Sequence, residues 1–80
     1  MRTLLAPTDR DDYVVLRWHV AEGDVVGRDG DTVIATLATI DGLLEMRVGA
    51  VVRVREILAP EGGRLTRGAA IAVVSTRDDA

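Results

Sequence analysis

The sequence predicts an all-β domain, a quasi-twofold sandwich or flattened barrel, and three observations carry that reading. Apolar residues alternate or fall in short runs bounded by turn residues, and no segment shows a helical period. The composition is 48% hydrophobic with no phenylalanine, one tryptophan and one tyrosine, so valine-rich aliphatic runs that favour pleated sheet must fill the interior. The chain also repeats itself once. Ala21-Glu22-Gly23-Asp24-Val25-Val26-Gly27-Arg28 lines up with Pro60-Glu61-Gly62-Gly63-Arg64-Leu65-Thr66-Arg67. One extra residue, Asp29, then sets Gly30 and Val33-Ile34-Ala35 against Gly68 and Ile71-Ala72-Val73. Two such halves would each cover the apolar face that the other cannot bury alone.

The elements follow in order. From Tyr13 the residues alternate, with Val14, Leu16, Trp18 and Val20 on one face and Val15, Arg17 and His19 on the other, up to a turn at Glu22-Gly23-Asp24. A second run covers Val33 to Thr39, and Leu43 to Val48 follows it. Asp-Gly between two apolar runs is a strong hairpin signal, which places a tip at Asp41-Gly42. Val51 to Leu58 is a further strand whose alternation breaks at Arg55-Glu56-Ile57, as a bulge would break it. Pro60 to Gly63 reads as a turn and Ala70 to Ser75 as the closing strand.

Eighty residues make a single domain, expected to span 1–80. The absence of cysteine removes disulfides and thiolate metal sites. Met1 to Asp12 has no apolar signal core, and no apolar run reaches the roughly 18 residues of a membrane span, so a soluble, cytoplasmic protein is expected. A formal charge of −3 and the near absence of stacking aromatics leave no footprint for nucleic acid.

Candidate chemistry is sparse. His19 is the single histidine and has neither a metal-binding partner nor a cysteine to activate, so it reads as packing beside Trp18, itself a core anchor. Asp9, Asp11 and Asp12 lack calcium-loop spacing and read as a solvated charge run. Gly27-Arg28-Asp29-Gly30-Asp31 has no helix behind it to make a phosphate loop and reads as a turn. No nucleophile stands with an activating base, so an enzyme is not expected.

Several stretches resemble the lipoyl and biotinyl attachment domains of 2-oxo acid dehydrogenase complexes and biotin-dependent carboxylases. Leu16-Arg17-Trp18-His19-Val20-Ala21-Glu22-Gly23-Asp24-Val25-Val26 is similar to the family's strand, tryptophan and Glu-Gly-Asp turn. Gly30-Asp31, Arg55-Glu56-Ile57-Leu58, Glu61-Gly62 and the closing Gly68 to Val74 extend the likeness over residues 4 to 76, and Val48-Gly49-Ala50-Val51-Val52 departs from it, lacking the usual proline. The resemblance implies a barrel-sandwich hybrid of about eight short strands. It also puts Asp41 where the family carries its modified lysine, between Ile40 and Gly42 in place of the biotinyl motif's methionines.

The chain has ten arginines and no lysine, and a carboxylate offers no nitrogen to acylate, so neither lipoate nor biotin can be attached as in the family and no cofactor is expected. What the resemblance implies instead is a non-catalytic module that docks to a dehydrogenase or carboxylase component through Asp31, Ile40, Asp41, Gly42, Glu45 and Arg47. The alternative is a structural, self-assembling hybrid-barrel subunit, as in related domains of membrane-fusion proteins. The first expects a monomer by itself and the second self-association.

Overall fold

The computed structural model describes residues 1–76. Eight strands occur in them: β1 (Arg2–Leu5), β2 (Asp12–Trp18), β3 (Val25–Val26), β4 (Thr32–Thr39), β5 (Gly42–Val48), β6 (Val52–Ile57), β7 (Arg64–Thr66) and β8 (Ala70–Thr76). They form two four-stranded antiparallel sheets, ordered β1-β8-β6-β3 and β5-β4-β2-β7. The all-β class and the strand number agree with expectation. Closure into a barrel does not, because strand pairing leaves two separate sheets.

The internal repeat becomes a twofold exchange of strands. The first half supplies β1 to β4, the second β5 to β8, and each sheet takes two strands from each. β3 pairs with β6, Val25 opposite Arg53 and Val26 opposite Val52, as β7 pairs with β2, Arg64 opposite Val14 and Leu65 opposite Tyr13. Four of the six ladders (β1 with β8, β2 with β7, β3 with β6 and β4 with β5) cross between halves.

The turns repeat the exchange in side-chain detail. The Glu61 carboxylate accepts the Trp18 backbone N–H at 2.8 Å, and the Glu22 carboxylate accepts that of Ile57 at 2.8 Å. Gly62 donates to the Val15 carbonyl and Gly23 to that of Val54, both at 2.7 Å. Each Glu-Gly turn thus finishes a strand of the opposite half, satisfying donors that the strand ends would otherwise leave to water. The turns differ in one respect. Asp24 accepts from the Ala21 N–H at 2.9 Å, a bond that Pro60 and Gly63 have neither the donor nor the acceptor to make.

Bulges decide which residues face inward. Leu16 is the extra residue of β2, since Val15 stands opposite Leu37 and Arg17 opposite Thr36. The expected face is thereby corrected: Tyr13 and Val15 are buried and Leu16 is 48% exposed, while the bulge turns Trp18 back toward the core. Its mate is Arg55, unpaired between Val54 opposite Val74 and Glu56 opposite Val73, at the break expected from the sequence. Ile34 is extra in β4 against β5, and Ile71 in β8 against β1. Ile34 therefore corresponds to Ile71 and Ala35 to Ala72, one position away from the sequence alignment of these strands. The bond of His19 N–H to the Ile34 carbonyl repeats as that of Leu58 to Ile71, both at 2.9 Å.

The core follows the same symmetry. One cluster holds Tyr13, Val15, Leu37, Leu65, Ile71 and Ala72, and the other their mates Val52, Val54, Val74, Val26, Ile34 and Ala35. Larger side chains in the first face smaller neighbours there, Ala6 and Ala59, whose mates are Val48 and Val20. Leu4, Trp18 and Met46 pack against both clusters, and the Trp18 indole N–H donates to the Ala59 carbonyl at 2.6 Å. Trp18 is thus an anchor. His19 is not packed beside it but lies exposed, its Nε2 2.7 Å from Thr36 Oγ1.

Because the two caps are mates, Glu22→Ala and Glu61→Ala are each expected to cost about 1 kcal/mol in urea unfolding. Costs differing by more than about 1 kcal/mol would break the equivalence.

Candidate functional site

The most prominent apolar exposure lies on the hairpin that joins the halves. β4 and β5 pair from Thr32 opposite Val48 to Thr39 opposite Gly42, which leaves a two-residue turn, Ile40-Asp41. The expected tip at Asp41-Gly42 is corrected by one position, because Gly42 is already the first residue of β5. Thr39 braces the turn: its hydroxyl accepts the Asp41 N–H at 3.2 Å and donates to the Gly42 carbonyl at 3.1 Å. Ile40 is 95% exposed and Leu43 72%.

Asp41 is tied across the molecule. Its carboxylate meets the Arg10 guanidinium at 2.5 Å, and Arg10 in turn donates its backbone N–H to the Tyr13 hydroxyl at 3.1 Å. Between this connection and the hairpin lies an open cleft of about 510 Å³, lined by Asp9, Arg10, Tyr13, Thr39, Asp41 and Leu44 among others.

Asp31, Glu45 and Arg47 lie elsewhere on the hairpin. Arg47 bonds Glu45 at 2.7 Å and Asp31 at 2.9 Å on the exposed surface. The Glu45 hydrogen bond, then the Asp31 charge, holds the Arg47 guanidinium above its ordinary value. Gly42 and Arg47 are five residues apart on one strand, roughly 16 Å. The six expected residues therefore fall into two groups, Ile40, Asp41 and Gly42 at the tip and Asp31, Glu45 and Arg47 toward the base. Of the second group, Glu45 and Arg47 lie along β5, an edge of its sheet, where alternating charges discourage further strand pairing, and Asp31 stands just before β4.

The Arg10 tie has no counterpart in the sequence reading. Arg10 is 31 positions from Asp41 in a connection without periodicity, and only the fold brings them together. Of the acidic run beside it, Asp11 is engaged by Arg67. Among the described residues, no three His, Asp or Glu side chains gather as a metal site. The arrangement offers an apolar, charge-flanked tip and a polar cleft.

No family model matches the sequence, and no curated protein matches it.

Both partners of the Arg10–Asp41 pair are about half exposed or more, so Arg10→Ala is expected to lower stability by less than about 1 kcal/mol. Amide chemical-shift changes should be confined to residues 8–14 and 38–44. A loss above about 2 kcal/mol, or shifts spread through both sheets, would contradict a local tie.

Proposed function

We propose that the chain is a carrier-type domain of the lipoyl/biotinyl kind that has lost its cargo lysine and serves as a non-catalytic protein-interaction module. Its partners would be enzymes that handle such carriers, 2-oxo acid dehydrogenase-like or carboxylase-like components, engaged through the Ile40-Asp41 turn. The observation that carries the reading is the place of Asp41: one of two residues at the turn joining two mutually completing halves, beside a nearly fully exposed isoleucine. The order of tryptophan, Glu-Gly turns and closing strand supports the carrier kinship, and the reciprocal Glu22 and Glu61 contacts give those turns a shared structural task.

The residues present do not fit lipoate or biotin. Attachment needs an amine nitrogen at the turn, whereas Asp41 is a carboxylate engaged by Arg10 and the chain has no lysine. No step is routed through either group. Docking at a small tip with charged surroundings is suited to a transient complex whose rim charges govern encounter more than affinity.

Two experiments bear on the two parts of this reading. Asp41→Lys should make the domain a substrate for a lipoate or biotin ligase, seen by intact mass as one added group, while the wild type stays unmodified. A folded Asp41→Lys chain refused by both ligases would count against carrier kinship. Affinity capture from the native host should recover a dehydrogenase or carboxylase component that Asp41→Arg loses. Recovery only of the chain itself would favour a structural subunit.

A further inference from the structure

We propose that the chain forms a homodimer by exchanging halves, with β1 to β4 of one copy completed by β5 to β8 of another and the Ile40-Asp41 turn opened as the hinge. The proposal stands on the strand pairing and does not rest on the docking reading; the exchanged dimer uses as its hinge the turn that the monomer would present for docking.

Three observations carry it. The first is that the halves already meet as two subunits would: four of six ladders and both Glu caps run between them, and one two-residue turn is what joins them. A second copy can supply every one of those contacts, so exchange keeps the packing between halves and gives up the Thr39 and Arg10 contacts of the closed turn.

The turn itself is the second. Among the described residues only glycines have positive φ. Ile40 is therefore outside the left-handed region that both favoured two-residue hairpin turns require at their first position. The positive φ of the reversal falls on Gly42, at 141°, just after the turn. A β-branched residue suited to an extended strand is held instead at a turn, with its side chain in water.

The third is register. Leu37 stands opposite Leu44, Ala38 opposite Leu43 and Thr39 opposite Gly42. Extending that ladder through an opened hinge sets Ile40 opposite the Asp41 of a second copy, and Asp41 opposite its Ile40. β4, hinge and β5 then make one continuous strand, and two copies zip antiparallel about a twofold axis between the hinges. The opened hinge gains two ladder positions, against the lost turn contacts and the entropy of association, so exchange depends on concentration. It also takes the exposed turn out of the monomer's surface.

The test is light scattering of the wild-type chain after refolding at low and at high concentration, followed by oxidation of an Ala38→Cys/Leu43→Cys variant. These two positions face each other in the ladder, and the native chain has no cysteine. Exchange predicts a species of twice the chain mass whose share rises with refolding concentration. In that species the disulfide should link two chains on a non-reducing gel, whereas in the monomer it should close within one. Ile40→Asn with Asp41→Gly, which supplies a favoured turn, should lower the dimer share several-fold. A wild-type chain monomeric at every concentration, or a dimer whose disulfides stay within single chains, would overturn the proposal.

Discussion

Each Glu-Gly turn in this molecule closes a strand that belongs to the other half, and the remaining structure depends on that reciprocity. Without Glu61 and Gly62 the end of β2 loses its partners on the side away from β4, and without Glu22 and Gly23 the end of β6 loses those on the side away from β8. The exchange of β3 and β7 between sheets is the same contact seen along the backbone, and the two core clusters are its interior. A chain this small has little apolar area with which to fold. Its halves solve the problem jointly, each serving as the lid of the other, with Trp18 spanning both clusters.

This arrangement determines where anything can be presented. The halves need a connection, and the connection is a hairpin whose two-residue turn has no core to enter. Residues at such a turn are free of packing duty, so an isoleucine and an aspartate there are unconstrained by the fold itself. The Arg10 contact then ties the turn to the β1–β2 connection, and Tyr13, a core residue, holds that connection by its hydroxyl. The tip is thereby positioned by the core while lying outside it.

Much of the fold was legible because turn chemistry is local. Glu22-Gly23-Asp24, Pro60 to Gly63 and Asp41-Gly42 each announced a reversal, and the repeat announced the symmetry. The bulge at Arg55 was readable because a charge pair interrupts an alternating apolar run. Its mate at Leu16 is not, since a leucine in a strand looks inward by default; the bulge there puts Tyr13 and Val15 inside in place of Val14 and Leu16 and leaves Trp18 facing the core. The short strands β3 and β7 carry too few residues to show a period. β1 has an apolar pair before Pro7-Thr8-Asp9 but is too short to show a period. At the site, the tip residues could be found from the hairpin, one position off, whereas Arg10 could not, because an ion pair across 31 residues leaves no local pattern.

The fold depends on two halves that complete each other, and separating them tests that dependence most directly. Peptides 1–40 and 41–80 should each be unfolded in water and acquire the β-sheet signature and dispersed amide spectrum of the intact chain when mixed at equal amounts. A half that folds by itself, or a mixture that stays unfolded well above micromolar concentration, would contradict it.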